Sequence, residues 1–227
     1  MSEQPRPGGA RRVPGKDYPT VAIGNGMEQA RTDAVLAALG GLPADLTWEE
    51  ARERLLPLLP RRRPLPPTAG TPLRLVLPPG IETGFGLDIG PAHLVVGEQL
   101  AGAWGVDTAA VAAQALANAR ERLAASGPAD LLAERIDGVP VRILQTGAGC
   151  ASIAVLLPDE LRRILGPAAA LVITPMRDLL VALPPDAPAG FAAWLADELA
   201  SIDPNGLATG VVRLHADGRL SHRPLAD

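Results

Sequence analysis

The sequence predicts an α+β fold, in which helices pack on a mostly antiparallel sheet and a small helical N-terminal unit comes first. Strand-like runs occur in clusters with helical patterns between them, which is typical of this class. Two such runs flank Asp217-Gly218, a dipeptide that favours an antiparallel hairpin. The chain has 227 residues, 47% of them hydrophobic, so it is long enough to bury a sizeable core.

Four segments are expected in chain order: a flexible leader over residues 1–18, a small helical unit over 19–60, a Pro/Arg-rich linker over 61–72 and an α+β domain over 73–227. Within the helical unit, a β-like run over 20–23 precedes a helical pattern over 27–39. A second helix is predicted from Thr47, where Thr47 and Glu50 fit a capping box. Its apolar spacing continues to Leu59, although Pro57 disturbs the last turn.

The α+β domain is predicted element by element from its apolar spacing. Strands are expected over residues 73–77, 82–89, 93–96, 139–146, 171–174, 179–183, 209–215 and 219–222. Helices are expected over 98–104, from an Asp107 N-cap to Leu123, over 158–165 and over 188–202. Residues 153–157 fit either a strand or a helix.

Composition and charge exclude several classes of protein. The formal net charge is −4, so no overall basic field draws the chain to nucleic acid. Residues 166–185 are apolar but interrupted by Pro175 and by Arg177-Asp178, which predicts two buried strands rather than a membrane span. A single cysteine, Cys150, excludes an internal disulfide and suits a reducing cytoplasm. We therefore expect a soluble cytoplasmic protein with no cofactor and with no membrane or nucleic-acid partner.

Gly24-Asn25-Gly26 lies between a strand-like run and a helix, where a phosphate could meet a helix N-terminus. The third glycine of a dinucleotide fingerprint is missing, because residue 29 is Gln, and no lysine follows. A tight turn before a helix explains the motif better than a nucleotide site.

Cys150 follows a glycine-rich turn over residues 146–149, which makes it a weak candidate for a nucleophile. A base would have to come from a distant histidine, and only His93, His215 and His222 exist. Free cysteine is more often a small buried hydrophobe. The catalytic hypothesis requires that Cys150 line a cleft beside a histidine or a carboxylate.

His215 and His222 are weak candidates for a metal site. A two-residue turn at Asp217-Gly218 would pair His215 with Leu220, which places the two histidines diagonally on one face of the hairpin. No nearby side chain completes a set of four ligands, and edge strands commonly carry polar residues to stay soluble. We therefore expect no metal.

Arg177 and Asp178 form a polar turn between two strongly apolar strands. Recognition residues are often found at such tips of a rigid scaffold, so this pair is the candidate binding site. The alternative is an exposed pair that contributes little to stability, about 0–1 kcal/mol.

Three stretches carry a resemblance to a known family. They are a strand–helix–helix unit over 93–123 with Trp104, a pair of strands over 170–184 around Pro175, Arg177 and Asp178, and the hairpin over 210–225. Residues 73–225 resemble the YtpQ-like group of uncharacterised bacterial proteins in the order of these features. The resemblance implies an α+β fold and no particular reaction, because the group has no established activity.

Two functions remain open from the sequence. The favoured one is a non-catalytic adaptor or assembly protein of a bacterial cytoplasmic system, which binds another protein and can form a homo-oligomer. Its support is the absence of a convergent set of catalytic residue types, together with apolar edge strands that could add to a partner's sheet. The alternative is a hydrolase or transferase that uses Cys150, or the pair His215 and His222.

Overall fold

The structure, a computed structural model, describes residues 25–43, 45–63, 70–188 and 190–224. The predicted leader over 1–18 and the strand-like run over 20–23 lie outside these ranges. Helices and antiparallel strands form the described part of the chain, which confirms the α+β class.

The helices and strands have the following bounds. The α-helices are α1 (Asn25–Gly40), α2 (Trp48–Ala51), α3 (Glu98–Trp104), α4 (Thr108–Leu123), α5 (Pro158–Leu165) and α6 (Phe191–Ile202). The strands are β1 (Leu55–Leu58), β2 (Arg74–Leu77), β3 (Ile81–Asp88), β4 (His93–Val95), β5 (Leu132–Ile136), β6 (Val139–Leu144), β7 (Ala170–Met176), β8 (Leu179–Leu183), β9 (Val211–Leu214) and β10 (Leu220–Arg223).

The strands form two antiparallel sheets. In the smaller sheet β3 pairs with β1, β2 and β4. In the larger sheet the order is β10-β9-β7-β8-β6-β5, so β5 and β10 are its edges. One face of the larger sheet packs on α6, where Leu195 and Ala196 meet Ile173 and Val181. The other face packs on α4, α5 and the buried 3₁₀ segment Ala151–Leu156.

The predicted helix from Thr47 to Leu59 is correct only at its start. The capping box is present, with Thr47 N donating to Glu50 Oε2 at 2.9 Å. The helix ends at Ala51, however, and β1 begins at Leu55 and pairs with β3. Pro57 explains the change, because proline cannot continue a helix but is tolerated in an edge strand. β1 thereby joins residues on the two sides of the predicted linker in one sheet.

β5 is a strand that the sequence analysis missed, although a signal for it was present. Asp137 and Gly138 both have positive φ, 48° and 79°, and they connect β5 to β6 in a two-residue hairpin. Asp-Gly is typical of this type I′ turn. The dipeptide that predicts the hairpin at Asp217-Gly218 also occurs here, so the sequence carries a local signal for the β5–β6 hairpin.

The other predicted elements agree with the structure apart from their ends. The segment over 153–157 is neither strand nor α-helix, because most of it belongs to the 3₁₀ segment. No helix in the described ranges combines the length and apolarity needed to cross a membrane.

Candidate functional site

The turn between β7 and β8 holds the glycine-rich loop through the carboxylate of Asp178. Its Oδ1 accepts hydrogen bonds from the backbone N–H groups of Thr146, Cys150 and Ala151 at 3.2–3.3 Å, and from the Thr146 hydroxyl. Its Oδ2 accepts from Gly147 N at 2.7 Å. Two candidate segments distant in sequence, the Cys150 loop and the Arg177-Asp178 turn, are therefore one structural unit.

The environment of Asp178 keeps it ionised. Burial alone would raise the pKa of Asp178, but the hydrogen bonds from Thr146, Ala151 and Gly147 hold it below its usual value. Both carboxylate oxygens are thus occupied within the fold. In this arrangement Asp178 orders the glycine-rich loop. Its neighbour Arg177 is therefore the residue of the pair to consider for ligand binding.

Cys150 lies inside the protein. It is 0% exposed and belongs to the core cluster that includes Ile153 and Ala154. Its Sγ lies 3.4 Å from Thr146 Oγ1, and burial raises the pKa of the thiol. A buried thiol with a raised pKa supplies little thiolate at neutral pH, so this geometry is typical of a structural cysteine.

Arg177 is a half-buried cation that has no carboxylate partner among the described residues. Its Nε donates to the carbonyl oxygen of Gly149 at 2.9 Å, and no described residue accepts from its two terminal Nη groups. Burial lowers the pKa of Arg177, and none of the ion pairs among the described residues includes it. Gly149 has a φ of +69°, and a Cβ there would lie 3.3 Å from the guanidinium nitrogens, so glycine lets the arginine lie close against the loop.

His93 is a polar group near this site that the sequence analysis did not single out. It pairs across the strands with Asp88, whose carboxylate is bound by Arg122 Nη1 at 2.5 Å and by Gly90 N at 2.9 Å. Burial, and then the charge of Arg177, lower the pKa of His93 to about 4. Its Nε2 is buried without a hydrogen-bond partner among the described residues. No local sequence pattern marks the buried environment of His93, because part of it comes from the distant Arg177, whose charge helps to lower the His93 pKa.

A cleft of about 460 Å³ lies beside Arg177 and Asp178. Its walls come from the end of β3, the glycine-rich loop, the β7–β8 turn and the residue after α6; they include Asp88, Gly90, Gln145, Gly147, Gly149, Arg177, Asp178 and Asp203. It is therefore lined by residues from both sheets and by both signs of charge.

The C-terminal hairpin separates its two histidines. Leu220 pairs with Leu214 rather than with His215, because His215 N bonds to Arg219 O and Gly218 N bonds to His215 O. The loop is thus longer than the predicted two-residue turn, and the register moves by one residue. A shift of one residue transfers a side chain to the other face, so the prediction that the histidines share a face is wrong.

Each histidine has a local partner instead. His215 Nε2 lies 2.9 Å from Ser221 Oγ, and His222 Nε2 donates to the carbonyl oxygen of Thr209 at 2.5 Å. Within the described ranges no group of three or more His, Cys, Asp or Glu side chains is placed to hold a metal ion.

Comparison with known proteins gives no match: no family model, no curated protein and no solved structure is similar to this chain. The resemblance of residues 73–225 to the YtpQ-like group therefore stays a prediction.

Proposed function

We propose that the protein is a non-catalytic adaptor or assembly protein of a bacterial cytoplasmic system, and that its partner adds a strand to β5. The observation that carries the proposal is that β5 is an exposed edge strand of the larger sheet. The first four residues of β5 are exposed and the fifth is partly exposed, and Leu132 keeps 58% of its surface accessible. An edge strand with unpaired backbone groups is a template for another strand.

The hairpin register shows which backbone groups of β5 are open. Ile136 and Val139 flank the two-residue turn, where the pair next to the turn exchanges both backbone hydrogen bonds. The next pair, Arg135 and Pro140, is then a non-hydrogen-bonded pair, which suits Pro140 because proline has no N–H. By alternation, Ala133 and Arg135 direct their N–H and C=O groups away from β6. These are the groups that an added strand would bind.

A shallow cleft of about 700 Å³ lies beside this edge. It is bordered by Ala133, Arg135 and Arg142 and by the end of β8 at Leu183. Alternate side chains of an added strand point to the same face, so one set would enter this cleft while the backbone pairs with β5. The edge therefore offers both main-chain pairing and a side-chain contact.

The charges on β5 favour a different chain over a second copy. Two copies related by a two-fold axis could match Leu132 with Ile136 of the second copy only by placing the two Glu134 side chains opposite each other. Like charges directly opposite each other destabilise a strand pair. We therefore assign the edge to a heterologous protein partner rather than to a homo-oligomer.

The alternative function, a hydrolase or transferase, loses the geometry that it required. Asp178 accepts from the backbone N–H of Cys150, but Cys150 has no exposed surface and does not line the cleft. His215 and His222 lie on opposite faces of their hairpin. The adaptor function needs neither the thiol nor the histidines.

The test compares two substitutions at one position. Full-length protein serves as bait in a lysate of the source bacterium, as wild type, as Ala133→Pro and as Ala133→Thr. Proline removes the outward N–H of residue 133, whereas threonine keeps it and suits a strand. We expect a stoichiometric partner with wild type and Ala133→Thr and its loss with Ala133→Pro.

Hydrogen exchange then locates the contact. With the captured partner added, the amides of Ala133 and Arg135 should become protected, while those of Glu134 and Ile136, already paired with β6, should change little. Two results would contradict the proposal: equal capture of the partner by Ala133→Pro and Ala133→Thr, or no stoichiometric partner captured by the wild-type protein.

A further inference from the structure

The cleft beside the β7–β8 turn contains two opposite charges that the fold leaves open. Arg177 presents its terminal Nη groups without an acceptor among the described residues. Asp203 lines the same cleft, and its Oδ1 accepts from one donor among the described residues, Asn205 N at 2.8 Å. No described residue forms an ion pair with either side chain.

The other two charged side chains that line the cleft keep their negative charge but already have partners within the fold. Asp178 accepts from five donors, three in the glycine-rich loop and two at the backbone of Cys150 and Ala151. Asp88 is bound by Arg122 Nη1 at 2.5 Å and by Gly90 N. Neither carboxylate is therefore available to Arg177, although both lie in the walls of the cleft.

Each open charge is placed where the fold itself disfavours it. A guanidinium that loses water without gaining an anion is costly, and the half-buried Arg177 side chain donates to one carbonyl oxygen, that of Gly149, within the described ranges. Asp203 directly follows the last residue of α6, Ile202, where the negative end of the helix dipole opposes a carboxylate. A ligand with an anion and a cation would relieve both costs at once.

From this geometry we infer that the cleft binds a small zwitterion of the α-amino-acid type, with its carboxylate on Arg177 and its ammonium group on Asp203. Arginine binds carboxylates through two parallel hydrogen bonds, and the two Nη groups of Arg177 have no acceptor in the part of the chain that the structure describes. The volume of about 460 Å³ lies within the range of small-molecule sites. This site is separate from the β5 edge and does not depend on the function proposed for that edge.

Two features argue against a simple anion site. Three carboxylates, those of Asp88, Asp178 and Asp203, line the cleft and would repel a phosphate dianion. His93, which lies near enough to Arg177 for that charge to lower its pKa, is held neutral and adds no positive charge. The balance of charge therefore favours a ligand that brings its own cation.

The test uses the full chain and isothermal titration calorimetry. The standard L-amino acids are titrated one by one, and each binder is compared with three controls: propionate, ethylamine and inorganic phosphate. We expect at least one amino acid to bind and all three controls to bind at least about tenfold more weakly, as expected when a charged hydrogen bond is lost.

Two substitutions assign the two contacts. Arg177→Gln should weaken binding of the amino acid by about 10- to 100-fold, the usual effect of losing a charged hydrogen bond. Asp203→Asn keeps the acceptor for Asn205 and should remove the preference for the amino acid over propionate. Ala133→Pro, at the distant β5 edge, should leave binding unchanged, so that failure here is distinguishable from failure of the adaptor function.

Several results would overturn the inference. They are no binding by any amino acid at millimolar concentration, equal binding by phosphate, and unchanged binding in Arg177→Gln. If Arg177→Gln fails to fold, as judged by circular dichroism, Asp203→Asn decides the matter, since that residue is partly exposed and its substitution removes no hydrogen bond.

Discussion

The glycine-rich loop and the C-terminal hairpin are the two regions in which the sequence suggested chemistry, and they fold in opposite ways. In the first, Cys150 and Asp178 lie 28 positions apart in sequence and are joined directly, Cys150 N to Asp178 Oδ1. In the second, His215 and His222 are close in sequence and lie on opposite faces. Nearness in sequence therefore does not predict which candidate residues lie together in the fold, because backbone hydrogen bonds and turn register decide which side chains meet.

The same comparison separates structural polar groups from available ones. Asp178 accepts from donors of the glycine-rich loop and from Cys150 and Ala151, whereas no described residue accepts from the Nη groups of its neighbour Arg177. Each histidine of the hairpin is occupied by a local partner. Of the candidate groups in these two regions, the Arg177 guanidinium is the one available to a ligand, and the Cys150 thiol and the two hairpin imidazoles are not.

The largest effect is expected for Asp178→Ala. Removal of the carboxylate leaves several loop N–H groups without an acceptor, and we expect a loss of about 3 kcal/mol in the free energy of unfolding. Urea denaturation measures it. Asp217→Ala, which removes one exposed acceptor for Arg219 N in the hairpin, is the matched control and should cost less than about 1 kcal/mol. Equal losses would contradict the distinction between the two regions.

A pH effect of similar size is expected from His93. The folded protein holds His93 neutral down to about pH 4, whereas the unfolded chain takes up a proton below its ordinary pKa of 6.5. The unfolded state then binds more protons, so the free energy of unfolding should fall by about 3 kcal/mol as the pH drops from 6.5 to 4.

Urea denaturation of wild type and His93→Gln across this range tests the effect. The variant lacks the titrating group and should lose clearly less stability. The carboxylates of Asp88 and Asp178, whose pKa values are lowered, contribute stability above the ordinary pKa of Asp and lose it only as the pH falls further. Parallel curves for the two proteins would show that His93 is not held neutral.

A smaller effect is expected for Gly149→Ala, with Gly147→Ala as its control. Both glycines have positive φ, +69° and +70°, so alanine should cost about 1 kcal/mol at either position. Only at residue 149 would the new Cβ press on the Arg177 guanidinium. Amino-acid binding measured by calorimetry should therefore weaken in Gly149→Ala and persist in Gly147→Ala. The reverse pattern would place the ligand elsewhere.

Most helices and strands were predictable because local signals specify them. The Thr47–Glu50 capping box and the Asp107 N-cap both appear as expected. The extension of the second helix to Leu59 was wrong, because apolar spacing alone does not distinguish a short buried strand from a helix. Pro57 is the local signal for a strand here, because proline cannot continue a helix but is tolerated in an edge strand.

The candidate site was predictable only in part, and the two Asp-Gly turns show why. Asp137-Gly138 forms a two-residue turn with both φ values positive, whereas at Asp217-Gly218 only the glycine has positive φ and the loop is longer. The dipeptide predicts a hairpin but not its loop length, and the loop length sets the face of His215. Interactions between distant segments, such as the effect of Arg177 on the pKa of His93, leave no local pattern at all.

The smallest effect is expected in the hairpin itself. His215→Ala and Ser221→Ala should each cost about 1 kcal/mol or less, and the double variant should cost no more than either alone, because both substitutions remove one 2.9 Å contact. Added Zn²⁺ should leave the unfolding midpoint of wild type and of His222→Ala equally unchanged. A zinc-dependent rise that disappears in His222→Ala would mean that the histidines meet after all, and that the register described for β9 and β10 is not the one in solution.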